Sequence, residues 1–193
     1  MKKNSFVSKA LSITVAFGIA VTAFGTQSFA AGTESTTTLT GGDLTVDSIT
    51  FSELSTTLTG YSTIATANWG IGEIIDARGT GAGWNLTLEL SPFQAVDGTD
   101  VGLEASSLKL VTDPIVSKVD ETSSDASTIT PITVGELGTA LDTNLPITLL
   151  SAQVGGGMGS FKLENMGVKL TIPANAYAKT YKATATVSLN TAP

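Results

Sequence analysis

The sequence predicts an all-β protein, a single antiparallel β-sandwich of immunoglobulin-like, Greek-key type. Three observations lead there. Apolar residues recur with a period of two or in short runs, and helical spacing is missing. Those runs are broken at regular intervals by Gly, Pro, Asp and Asn, the residues that turns require. The 193 residues include no cysteine, so the core must suffice without disulfides.

The first 30 residues read as a secretory signal peptide. Lys2, Lys3 and Lys9 form a charged head, Ala10 to Gly25 is a nearly unbroken apolar run, and Ser28-Phe29-Ala30 supplies a small-x-small cleavage site before Ala31. The run is shorter than the roughly 20 residues of a membrane span. Neither a retained span nor a lipidated cysteine is therefore expected after cleavage, and no sorting motif for covalent wall attachment is read in the chain. Residues 31–42, which include GTESTTTLTGG, read as a flexible N-terminal arm. The folded domain is expected over 43–193, with about eight strands.

The clearest strand begins at Trp84. Trp84, Leu86, Leu88 and Leu90 share one face, and Asn85, Thr87, Glu89 and Ser91 the other. A second runs from Tyr181 to Leu189, with Tyr181, Ala183, Ala185, Val187 and Leu189 on its apolar face. A third holds Val168, Leu170 and Ile172, and Pro173 ends it. Further strands are expected at Leu44–Phe51, Ile71–Arg78, Leu103–Val111, Ile147–Gln153 and Ser160–Glu164. The segment Asp113–Asp142 is polar and irregular. Within it, DETSSDAS at 120–127 reads as an exposed loop and VGELGTALD at 134–142 as a short helical turn.

Charge and composition narrow the function. Cleavage after Ala30 removes three of ten basic residues and leaves seven against 17 acidic ones, a net charge of −10. Such a chain is repelled by nucleic acid, which is not expected as a partner. It is equally repelled by polyanionic wall polymers. Histidine is missing altogether, which removes the commonest catalytic base and metal ligand. No G-x-S-x-G elbow or other nucleophile motif is present. No catalytic residue, metal site or cofactor is therefore expected, and the chain reads as a non-enzyme.

Two regions resemble the WxL family, named for a Trp-x-Leu motif. In Ile74 to Phe93, the family's Asp-x-Arg, glycine-rich turn, motif and following residues match Asp76, Arg78, Gly79-Thr80-Gly81-Ala82-Gly83, Trp84-Asn85-Leu86-Thr87 and Phe93. Leu103 to Leu110 resembles the family's next strand. At the other end, Tyr181, Leu189, Ala192 and Pro193 match a strand that closes with a second Trp-x-Leu and an Ala-Pro tail. There this sequence departs from the pattern, reading Val187-Ser188-Leu189 without the tryptophan.

The resemblance implies a secreted, cell-wall-associated protein of a Gram-positive bacterium, held noncovalently. It implies binding to peptidoglycan or another wall glycan, or else a place in a surface complex with a partner carrying a WxL-interacting domain. It also implies Trp84, Leu86, Tyr181 and Leu189 as ligand or partner contacts.

The residues themselves leave two readings for several positions. Trp84 is either a platform for a sugar or partner or, as its phase with three leucines favours, a core residue. Trp69 divides evenly between core and surface. Gly79–Gly83 reads as a hairpin or bulge connection, and Gly155–Gly159 as the same or as a mobile loop open to partners. Asp76 and Arg78, two apart on one strand face, read as an ion pair. Asp97-Gly98-Thr99-Asp100 reads as a turn, with a Ca²⁺ contribution as the alternative. Asp120, Glu121 and Asp125 read as solvated.

Overall fold

The computed structural model describes residues 37–47 and 49–192. The expected signal peptide, and the arm as far as Thr36, lie outside the described residues. The compact unit Leu39–Pro193 carries β1 (Leu44–Val46), β2 (Ile49–Thr50), β3 (Thr63–Asp76), β4 (Trp84–Leu90), β5 (Gln94–Ala95), β6 (Leu108–Leu110) and β7 (Ile115–Lys118). It continues with β8 (Ile129–Pro131), β9 (Thr139–Ala140), β10 (Ile147–Ala152), β11 (Gly159–Ile172), β12 (Tyr181–Lys182) and β13 (Ala185–Thr191). Among the described residues, the helical content is one 3₁₀ turn at Ala126–Thr128, capped by the Asp125 side chain.

Every strand pairing is antiparallel. The larger sheet runs β1-β3-β11-β6-β9, with β2 also on β3 and β7 also on β11. The smaller runs β13-β4-β10-β8, and β12 and β5 form a separate ribbon. The inward residues of both larger sheets meet in one core, where Trp84, Leu86 and Leu150 from the smaller sheet join Ile74, Phe161 and Val168 from the larger. At about 25 cal/mol per Å² of apolar surface, these buried side chains dominate the driving force for folding.

Strand β4 follows its sequence, with buried and half-buried residues alternating from end to end. The longest strands correct the reading. β3 begins at Thr63 rather than Ile71 because Ala65, Ala67, Trp69 and Ile71 already form an inward face. At Gly72 the register shifts, the inward phase moves to Ile74 and Asp76, and the strand ends before Arg78. β11 is one strand where two were expected. A bulge at Glu164–Asn165, with Asn165 at φ 60°, moves the inward face from Phe161 and Leu163 to Met166, Val168 and Leu170.

The polar stretch Asp113–Asp142 is likewise more ordered than expected, since it contains β7, β8 and β9. The helical turn expected at 134–142 is instead a tight turn, closed by the Gly138 amide on the Gly135 carbonyl, and then β9 against β6. The strand expected at Leu44–Phe51 is divided into β1 and β2, and that at Leu103–Val111 is confined to β6. Tyr181 to Leu189 is interrupted at Ala183–Thr184. The Thr184 amide there donates to the Ser91 side chain at 2.9 Å, and the chain passes from the ribbon to the smaller sheet. Its apolar face nonetheless stays on the core throughout.

Candidate functional site

The motif-bearing segments meet at the end of the sandwich where β4 begins. The Trp84 indole is fully buried, and its Nε1–H donates to the Gly157 carbonyl at 2.9 Å. Gly157 has φ +68°, and a Cβ there would stand 2.5 Å from the Ala152 Cβ and 2.8 Å from the indole nitrogen. Glycine is what lets this loop close over the ring. The two glycine-rich stretches also touch each other, the Gly155 amide donating to the Gly81 carbonyl at 2.7 Å. The open-loop reading of Gly155–Gly159 is therefore corrected: Gly156 and Gly157 are buried as a cover on Trp84.

Arg78 ties the same corner together. Its Nε and Nη2 donate to Asp76 Oδ1 and Oδ2, each at 2.9 Å. Nη2 also reaches the Gly83 carbonyl at 2.9 Å, and Nη1 reaches Thr191 Oγ1 at 2.7 Å. One side chain thus joins the end of β3, the glycine turn and the end of β13. Asp76 is 3% exposed, so this is a bidentate, nearly buried pair. The hydrogen-bonded guanidinium holds the Asp76 carboxyl below its ordinary range, and the carboxylate in turn raises Arg78. Both groups are locked in their charged forms, which suits a structural clamp and leaves no proton to exchange.

The four residues implied as contacts do not form one site. Leu86 is fully buried, directly across from half-buried Leu189 on β13. With Trp84 they belong to the core, so the platform reading has no exposed indole or leucine to use. Tyr181 lies past the far end of β4, half-buried, paired with Ala95 on β5 and donating its hydroxyl to the Tyr177 carbonyl at 3.0 Å. Where the resemblance would place a second tryptophan, Val187 lines a small gap with Phe51, Trp69 and Leu88. The Phe51 and Trp69 rings meet edge to face at 4.8 Å, and Trp69 Nε1–H donates to the Ser52 carbonyl at 3.0 Å. Trp69 is thus a core residue.

A surface cleft of about 410 Å³ opens beside the corner, bounded by Ile75–Ala77, the 120–124 loop and Met158–Ser160. Its polar groups serve local structure. Asp120 accepts from the Thr122 amide, the Ser124 hydroxyl accepts from the Met158 amide, and Ser160 is hydrogen-bonded to the Glu73 carboxylate. Asp97 is similarly engaged. Lys179 at 2.7 Å and the Thr99 hydroxyl and amide push its carboxyl down to about 2. The lysine occupies the place a cation would take in the alternative reading. One organising residue escaped the sequence reading. Asp142 is fully buried and accepts from the Ser107 amide and hydroxyl and the Leu108 amide, fixing the start of β6.

A family model described as "WxL domain surface cell wall-binding" matches residues 9–193. No curated protein and no solved structure matches the chain.

Proposed function

The chain belongs to the WxL family of surface cell-wall-binding domains, and from that premise we propose that it is a secreted, non-catalytic protein that binds peptidoglycan noncovalently. The observation that carries this reading is the match over residues 9–193, which takes in both motif regions and the fold between them. The motif residues themselves have a structural part: Trp84, the glycine stretches and the Asp76–Arg78 pair brace the two sheets against each other. Among the described residues, no helix is long and apolar enough to cross a membrane. Sedimentation of the secreted protein with purified peptidoglycan, alongside intact cells, tests the reading. Co-sedimentation with bare peptidoglycan is expected, and binding to intact cells alone would refute it.

One feature favours a second reading, a structural subunit held by a WxL-interacting surface protein. β13 is an edge strand of seven residues with no charged side chain and no proline, so it lacks the usual devices that block edge pairing. The Ser91 amide bonds to the Thr184 carbonyl and the Ala192 amide to the Gly83 carbonyl. This spacing turns the backbone groups of Ala185, Val187, Leu189 and Thr191 away from β4, toward the open edge. A partner could add a strand there. Binding to intact cells that disappears when surface proteins are digested, while bare peptidoglycan fails to bind, would select this reading.

A further inference from the structure

The outward face of the smaller sheet is made of short, uncharged polar side chains in register. Residues paired across antiparallel strands share a face. One row therefore runs Asn190, Asn85, Ser151 and Thr130 across all four strands, and the next runs Ser188, Thr87 and Thr148 across three. Thr186 starts a third row beside Glu89, the one charged residue in these rows. All are exposed or half-buried. Neighbours lie about 4.8 Å apart across strands and about 7 Å apart along them. Hydroxyl and amide groups each both donate and accept hydrogen bonds. Among the described residues of these two rows, Thr87 alone engages its hydroxyl within the sheet, on the Ser188 carbonyl of the neighbouring strand at 3.4 Å. The remaining capacity faces solvent.

The larger sheet shows that this is not a general property of the surface. Its outward face carries Glu73, Lys162, Glu164, Lys169 and Lys109. In a chain this acidic, one broad face has almost no charge. Such a surface neither repels nor steers an ion, and its regular donors and acceptors suit a neutral polymer that repeats the same groups. We propose that this face is a platform for an uncharged glycan backbone, a linear chain of hydroxylated and N-acetylated sugars lying across the rows. The proposal rests on the peptidoglycan reading above and supplies its contact surface. An open sheet suits a polymer better than a pocket, because each hydrogen bond adds little and length supplies the rest. Binding through such contacts is insensitive to salt.

The test uses the secreted protein with two probes, peptidoglycan stripped of anionic polymers and chitin, which has N-acetylated sugars and no peptide. The double variant Thr148→Glu, Ser151→Glu places carboxylates in adjacent rows at exposed positions, and Lys169→Glu is the control on the opposite face. The parent and the control are expected to sediment with both probes at low and high salt. The double variant should keep its melting temperature and bind at least tenfold more weakly. Parent-like binding by the double variant would overturn the platform and leave the peptidoglycan reading standing. Parent binding to peptidoglycan but not to chitin would also overturn it, by moving the contacts to the peptide stems. Failure of the parent to bind either probe would refute the peptidoglycan reading itself. If the charged variant does not fold, Thr148→Val with Ser151→Ala removes the same hydroxyls without charge. Weaker binding is again expected there, and unchanged binding would overturn the proposal.

Discussion

Replacing Trp84 by alanine separates a structural tryptophan from a contact tryptophan. The ring is fully buried and its nitrogen donates to the Gly157 carbonyl. Truncating a buried tryptophan costs about 3–5 kcal/mol through lost transfer energy and the cavity left behind. The stranded carbonyl places this case at the upper end, since an unpaired buried acceptor costs about 1–3 kcal/mol unless water reaches it. For a domain of this size that is a fall in Tm of roughly 8–20 °C. Thermal unfolding followed by circular dichroism reads the loss, and Trp69 remains as a fluorescence reporter in the variant. Trp84→Phe should fall between parent and alanine variant, because it keeps most of the ring but loses the donor. Binding measured well below the variant's Tm should persist. A Trp84→Ala protein that melts like the parent but no longer binds the surface would refute the reasoning and make Trp84 a contact.

Other perturbations test neighbouring parts of the same frame. Gly157→Ala should destabilise by about 1–3 kcal/mol, because the residue sits at φ +68° and the new methyl meets Ala152 and the indole; an unchanged Tm in thermal melts would show that the loop does not need glycine. Asp76→Asn should cost about 2 kcal/mol at neutral pH by weakening the clamp on Arg78. The Asp76 carboxyl is depressed in the folded state, so its contribution is fully present above the unfolded pKa of about 3.9 and is lost as pH falls through the lower folded value. The gap between parent and variant in denaturant titrations should therefore hold from neutral pH down to about 5 and shrink below about 4. Asp97 should titrate near pH 2 by carboxyl NMR, and Lys179→Ala should move it upward. Intact cells washed with about 1 M salt should retain the protein, because screening relieves repulsion from an anionic wall; release by salt alone would mean that an acidic patch meets a basic partner.

Strand β4 was legible because four inward leucine and tryptophan positions alternate with polar ones, and nothing interrupts the period. The missing half of β3 was hidden by small inward residues, since Ala65 and Ala67 carry too little hydrophobic signal to mark a face. β11 read as two strands because its inward face changes parity at Asn165, and a period-two pattern has no means of announcing a bulge. Asp142 looked like one more loop carboxylate because its three donors come from residues 34 and 35 positions away. For the same reason the burial of Trp84 was legible from phase, whereas its carbonyl partner, 73 residues distant, was not. The polar face of β4 was also visible in sequence. That its neighbours continue it without charge depends on strand order, which local periodicity does not carry.

The pairing of β4 with β13 has a consequence for when the fold can form. Leu86 finds its cross-strand partner at Leu189, and the long β3 must likewise wait for β11, Thr63 pairing with Ile172. Contacts so far apart in sequence close large loops before any reward is collected, which makes folding slow. The core strand of the smaller sheet keeps one side open until the residues up to Thr191 have been made. A chain emerging from a ribosome therefore cannot complete the smaller sheet until nearly all of its residues have been made.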